Sequence, residues 1–417
     1  MFFNYKQNYK EISSPMDLRY MKRIKFHLHF MGGWPLNELY EAYREKTKYI
    51  PLRHFKFLLV FWSTIFINSL FYLKFNLNKL DFFKLGQVYI VIFMTAVALQ
   101  RVSMPFMESY RKTVADFVLK IHLFHHKQRS NYAMKVHKEV HKILEYLTTW
   151  ILIELYVGTS SFHLIPLYNN IRSGVFTGNG HSVKNGTLYE YAMYFYIPFE
   201  QNNIIFIFIF IISLILIFDI GSAFCTYDLL MSTIIIHVWG HLKILIHHLE
   251  NFPRPEADKY GNKENDFRYN KKESRVIFEM LKENIEHHKL IMGFMNSVSN
   301  AFGVMMFVYY IFHQITGCIL LLEISALNAE AFVTYGLLTA FMYQQLIQTS
   351  FIFELIGSKS EIIKDAVYGL PWECMDVKNK RIVLFFLYNV QAPIRLNAMG
   401  LIAVGVQTAA AVSIKSF

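Results

Sequence analysis

Apolar residues in this chain come in long blocks, not at the 3.6- or 2-residue periods of half-buried surface helices and strands. The blocks fall near 57–73, 85–105, 146–168, 204–224, 297–322, 332–353 and 397–414. A bilayer-crossing helix needs ~20 such residues, so each block predicts a transmembrane span and the chain a seven-span, all-α membrane protein. The first block (FLLVFWSTIFINSLFYL) and the fourth (IIFIFIFIISLILIF) are the clearest, while Glu154 and His163 soften the third and Gln344, Gln345 and Gln348 the sixth.

The last element is broken in two. Residues 381–392 are apolar but only about half as long as a span requires, and Pro393, Ile394 and Arg395 then combine a helix stop with a charge that is costly at mid-membrane. The pattern predicts a short helix outside the lipid, a break, and a true span from Asn397 to Ser413. Ala398, Gly400, Ala403, Gly405, Ala409, Ala410 and Ala411 let that span approach other helices closely, and Gln407, Thr408 and Ser413 give it a polar side. On helical spacing Val404 and Thr408 share a face with Ala411 or Val412, and Gln407 flanks it. A helix meeting copies of itself around a wet axis, lined by these residues, is the expectation.

Composition agrees: 54% of residues are hydrophobic and only 18% charged, with mean hydropathy +0.26. The net charge of +11 would suit nucleic acid, but the basic residues sit in loops between apolar blocks, where they set topology, so no nucleic-acid partner is expected. The amino-terminal segment and the loops 106–143 and 243–290 are rich in Lys and Arg, whereas 169–203 carries only Arg172 and Lys184 and 323–331 neither. By the positive-inside rule the amino terminus is cytoplasmic and the carboxyl terminus extracellular, opposite to a G-protein-coupled receptor. This orientation puts the glycosylation triplet at Asn185 outside. The first span is expected to direct insertion itself, and Cys225, Cys318 and Cys374 form no disulfide framework. The expected units are a cytoplasmic segment 1–56, a six-span bundle 57–353 with helical cytoplasmic extensions, a cytoplasmic anchor segment 354–396 and the final pore-lining span 397–417.

The inner loops have helical patterning of their own. Val114, Phe117, Val118 and Ile121 recur at helical spacing, as do Val276, Ile277, Met280, Leu281 and Ile285, and the fourth span runs on through Leu229, Leu230, Ile234, Ile235 and Trp239. Histidines offer the sharpest enzymatic alternative. His122–His126 is a literal HxxHH, His237–His241 a literal HxxxH, and Glu286-His287-His288 a partial third box, the equipment of a membrane di-iron desaturase. Their order is wrong, the third box lacks its first ligand, and seven spans are too many for such an enzyme, so no metal, cofactor or catalytic residue is expected. Glu154 and Asp219 are ionisable groups in or near spans, read either as functional or as partners of a basic or amide neighbour.

The carboxyl-terminal third resembles the insect odorant receptor family. The resemblance rests on Ser360–Tyr368 (SEIIKDAVY) followed by Trp372, on Arg381–Leu387 (RIVLFFL) with Gln391-Ala392-Pro393 and Ala398-Met399-Gly400, and on Glu286–Lys289 (EHHK) before the fifth span. It implies a subunit of an odorant-gated, non-selective cation channel, assembled as a heterotetramer with one shared co-receptor in the plasma membrane of a sensory-neuron dendrite. The related gustatory receptors are the runner-up. The family continues for a short segment beyond the position matching Phe417, where its outer gate lies, so the gate is expected to be truncated or built differently here. The second inner loop is much shorter than the co-receptor's, which makes this chain a tuning subunit that conducts little alone.

The resemblance further implies a pocket for a small volatile in the outer halves of four spans. Its residues would be Val88, Tyr89, Ile92 and Phe93 of the second; Tyr156, Thr159, Phe162 and His163 of the third; Phe206, Ile209 and Phe210 of the fourth; and Thr334, Tyr335 and Leu338 of the sixth. The family also uses the helix before the break as its central subunit contact. Leu384, Phe385, Leu387, Tyr388 and Gln391 would form that anchor, being too many large groups for a short helix to leave in water.

Overall fold

A computed structural model describes residues 12–43, 52–80, 82–175, 189–194, 196, 203–255, 268–325, 329–394, 396–398, 402–403, 405, 408 and 410. The expected all-α architecture is observed. Six long helices are present: α3 (Leu52–Asn76), α4 (Phe82–Ser103), α6 (Asn131–Arg172), α7 (Asn203–Glu250), α8 (Lys271–Ser325) and α9 (Ala329–Tyr368). They coincide with the first six predicted spans. Among the described residues, four stretches are long and apolar enough to cross a membrane: Lys84–Phe106, Asn131–Arg172, Ile204–Glu250 and Lys271–Ser325. Along α7, Ile204, Phe208, Ile211 and Ile215 are all exposed at spacings of three or four residues. Water would not tolerate that stripe, and hydrocarbon does.

α6, α7 and α8 run 42, 48 and 55 residues, roughly twice a span, because no breaker separates their apolar blocks from the helical segments before them in α6 and α8 and after it in α7. The long ends build a second helical layer with two shorter helices, α1 (Arg19–Phe30) and α5 (Glu108–Asp116). Val114, Phe117, Val118 and Ile121 are buried there as their spacing predicts, the last three in a single π-turn, Phe117–Ile121. Ile277 and Leu281 of α8 are also buried, while Val276 faces out.

The polar amino-terminal segment is folded, which its composition did not announce. Tyr20, Ile24 and Leu28 lie four apart on α1 and are fully buried against α6 and α7, joined by Met21. Gly32, at φ 73°, ends α1 in a left-handed turn that a side chain would resist. Beyond it lies α2 (Leu36–Tyr43), which packs on α5.

The short helix before the break is α10 (Val377–Asn389), started by Asp376, whose carboxylate accepts from the Asn379 backbone N–H at 2.8 Å. It begins and ends slightly earlier than predicted, and Gln391 and Ala392 follow it in an exposed bend. The expected final helix is not continuous. Asn397–Ala398 pairs antiparallel with Ile402–Ala403, and helical geometry is present at Thr408 and Ala410. Gly400, between the two strands in sequence, lowers helix propensity, and Ala and Gly side chains offer little area to hold a lone helix against α8.

Candidate ligand-binding site

α4, α6, α7 and α9 pack around a cavity with about 700 Å³ of empty space, part of it open to the surroundings. α4 contributes Val91 and Met94; α6 Glu154, Leu155, Gly158, Thr159 and Phe162; α7 Ile217, Ile220, Gly221, Phe224 and Cys225; and α9 Leu338, Phe341, Met342 and Gln345. The lining is hydrocarbon and aromatic apart from the Thr159 hydroxyl, which donates to the Leu155 carbonyl at 2.7 Å, and one polar end where Glu154, Cys225 and Gln345 meet. Such a chamber takes a small apolar molecule and selects it chiefly by shape. Gly158 keeps room in it. A Cβ there would stand 3.5 Å from Phe341, in ordinary contact, so any larger side chain would grow into the space.

Among the described side chains, three of the sequence-predicted pocket residues, Thr159, Phe162 and Leu338, line this cavity, and the others lie elsewhere. Val88 and Ile92 are buried but outside the main core, Tyr335 is buried within it, Phe93 packs against it and Tyr89 is half-buried. Tyr156 is largely exposed, beside Phe218. His163 is buried with Nδ1 3.0 Å from the Thr159 carbonyl and its ring edge toward Phe210. Phe206 and Phe210, with Ile209 against them, belong to a separate outer cluster with Val175 and Tyr191. The segment 189–194 folds over the helix ends there: Asn170 donates to the Glu190 carbonyl at 2.7 Å and Gln87 to the Ala192 carbonyl at 3.2 Å. The Thr334 side chain and Asn185 lie outside the described residues.

The cavity therefore sits on the four helices the sequence pointed to, but on average deeper, around Val91, Leu155, Ile220 and Met342. Helical drift explains the offset. A fixed depth falls at unrelated residue numbers on tilted helices, and hydropathy marks a span without marking which turn faces a neighbour.

Close by, Arg101 of α4 is fully buried and pairs with Asp228 of α7 at 2.8 Å. Its guanidinium also donates to the Ala223 carbonyl at 3.5 Å and to that of Phe224, and lies 4.0 Å from the Phe224 ring centroid. Sequence reading singled out Glu154 and Asp219 and passed over this pair. The signal was available: an arginine inside a predicted span demands a partner. Asp219 itself is half-buried on α7.

The histidines of the two literal boxes meet in the second helical layer. The Phe124 backbone N–H donates to His122 Nδ1 at 3.1 Å and that of Leu123 to His237 Nδ1 at 3.3 Å. Each neutral ring must then carry its proton on Nε2, and both Nε2–H groups face the Tyr20 hydroxyl, at 2.8 and 3.1 Å. His241 reaches the Ile121 carbonyl at 2.6 Å and His287 at 2.9 Å. These rings fasten α1 and the π-turn to α7. Among the described residues, no three His, Cys, Asp or Glu side chains are grouped to hold a metal ion.

Burial, reinforced by neighbouring imidazoles, holds His122 and His237 well below the ordinary histidine range and pushes His137 down to about 4, His241 to about 3 and His287 to about 2. The folded state keeps them neutral while the unfolded chain takes up protons near pH 6.5. Stability is thus full above that value and lost as pH falls through it, by about 1.4 kcal/mol per histidine per pH unit. The apparent melting temperature of detergent-purified protein should be level from pH 8 to 7 and fall steeply from 6.5 to 5.5. A flat profile across that range would contradict this reading of the cluster.

The helix α10 turns Val383 and Phe386 inward, onto α8 and α9, and Leu384, Phe385 and Tyr388 outward at 68%, 62% and 78% exposure. Leu387 is half-buried; Gln391 is exposed, with its amide donating to the Leu387 carbonyl at 2.8 Å. Of the predicted pore residues, Thr408 is half-buried, and Val404, Gln407, Ala411 and Val412 lie outside the described residues.

The family model for the 7tm odorant receptors matches residues 81–413. The chain belongs to the odorant receptor family. Among curated proteins the receptor is similar to Odorant receptor 22a of Drosophila melanogaster, 26% identical over 136 residues, a match spanning 31% of this chain and 33% of that one. Its fold is that of the insect olfactory receptor OR5 from Machilis hrabei, with TM-score 0.74 at 12% identity over 95% of both chains. The complex of OR5 with eugenol gives TM-score 0.70 at 14% identity, over 96% of this receptor and 97% of that chain. This receptor is a multi-pass membrane protein of that fold.

Proposed function

We propose that this odorant receptor is the tuning subunit of a ligand-gated, non-selective cation channel, opened by a small apolar volatile in the cavity between α4, α6, α7 and α9. The observation that carries the reading is the cavity itself: an apolar chamber inside a membrane bundle, with one polar end. That a receptor of the same fold has been solved with eugenol supports a small volatile as the ligand class. The subunit sits in the plasma membrane with its amino terminus inside. It assembles as a heterotetramer with the shared co-receptor through the outward face of α10. Cations pass along the final segment, past Val404, Gln407, Thr408, Ala411 and Val412. Binding in the cavity reaches that path through α8 and α9, against which the chain's end packs: the short strand pair lies on α8, and Gly405 lies beside Glu354 of α9.

Co-expression with the co-receptor, followed by current recording against an odorant panel, tests the reading. Concentration-dependent cation currents are expected from the pair, and little or none from this subunit alone. Robust currents without any partner would remove the tuning-subunit role, and currents evoked only by sugars or bitter compounds would remove a volatile as its ligand.

A further inference from the structure

The polar end of the cavity is built around a carboxyl group. Glu154 is 4% exposed and lines the chamber, within the apolar 146–168 stretch of α6. Its partners are amides. With the Gln344 side chain turned so that its oxygen faces the Trp150 indole N–H at 3.1 Å, and Gln348 turned with it to present its N–H 2.8 Å away, the Gln344 nitrogen donates to both Glu154 oxygens, at 2.7 and 3.1 Å. Gln345, on the cavity side, is also a donor to the Glu154 carboxyl group, and its nitrogen lies 3.8 Å from Cys225 Sγ. The buried cation nearby is occupied, since Arg101 is paired with Asp228, and among the described residues no lysine or arginine pairs with Glu154.

A carboxyl group that receives N–H donors on both oxygens behaves as an acceptor, with lone pairs left over, in a setting where an unmet polar group is costly. The other donors on the wall are engaged, the Thr159 hydroxyl with the Leu155 carbonyl at 2.7 Å and the Gln345 amide with Cys225, and the remaining residues, including Val91, Met94, Leu155, Phe162 and Ile217, offer a ligand only shape. An O–H or N–H on the ligand would meet the spare lone pairs. An ether or ester oxygen would set lone pair against lone pair.

We propose that Glu154 is the specificity-determining residue of the cavity, selecting compact apolar molecules that carry one hydrogen-bond donor, such as a hydroxyl, over their acceptor-only counterparts. The proposal rests on the cavity being the odorant site. It goes beyond that reading by assigning the chemical class and the side chain that reads it.

The test uses alcohols and phenols paired with their own methyl ethers, for example 2-phenylethanol, 1-hexanol and a substituted phenol. Two readouts are taken: thermal stabilisation of the purified receptor and currents from the co-expressed channel. Responsive donors are expected to act at least tenfold lower in concentration than their ethers. Glu154→Leu should bring the two within about twofold by weakening the donor alone, whereas Glu154→Gln, which keeps an acceptor oxygen, should retain most of the preference. Equal potency of alcohol and ether in the parent, silence toward every donor, or loss of both members of a pair together in Glu154→Leu would overturn the proposal. The last result would make Glu154 a packing residue tied to Gln344. Selective stabilisation by donors without any current would leave the proposal standing and sink the channel reading instead, so the two failures are separable.

Discussion

Replacing Arg101 with methionine is expected to remove most of the properly folded receptor from membranes. The guanidinium is completely buried, and its loss leaves the Asp228 carboxylate without the 2.8 Å partner that makes it tolerable in low dielectric. Removing one member of such a pair costs about 3–5 kcal/mol, comparable to the whole stability of many domains. Removing both members costs much less, because no orphaned charge remains. Arg101→Met together with Asp228→Leu should therefore recover a large part of the monodisperse peak that Arg101→Met loses in size-exclusion of the tagged receptor. A single variant that elutes like the parent would mean that water reaches Asp228 and that the pair carries little weight.

The second large effect concerns assembly. Leu384 and Phe385 project from α10 at 68% and 62% exposure, next to the still more exposed Tyr388, while Val383 and Phe386 tie the same helix to α8 and α9. A helix held on one face with an apolar stripe on the other is shaped to be covered by a partner. Leu384→Asp with Phe385→Asp should abolish co-purification with the co-receptor. Because neither side chain supports the subunit's own core, membrane insertion and surface biotinylation of the tagged chain should be unchanged. A complex that survives both substitutions would move the subunit contact elsewhere.

Hydropathy carried most of the fold. The blocks of six spans became six long helices, and the absence of a breaker after Trp239 foretold that α7 would run on to Glu250. What hydropathy could not carry was structure held by few residues. The segment around α1 is polar overall, yet Tyr20, Ile24 and Leu28 are enough to dock it, a period-four signal diluted by the lysines and arginines between them. The final segment failed in the opposite sense. Its composition suits a helix whose surface is covered by other helices, and small residues alone bury too little to define one. At the cavity, the reading of the sequence names the four helices that line it but few of the lining residues, since Thr159, Phe162 and Leu338 share the space with deeper neighbours such as Ile220 and Met342. Two literal histidine boxes, finally, turned out to meet a tyrosine hydroxyl and backbone groups. Motif spacing alone does not distinguish those partners from a metal.

The central claim is that the cavity between α4, α6, α7 and α9 is where an odorant acts. The odorant dose response of Gly158→Leu, co-expressed with the co-receptor, tests it most directly. The Cβ of a leucine there stands in ordinary contact with the Phe341 ring, and the rest of the side chain takes up space in the chamber that both residues line. A loss of sensitivity of tenfold or more, about 1.4 kcal/mol or above, is expected, with surface expression and ion selectivity unchanged. An unaltered dose response at normal surface expression would contradict it.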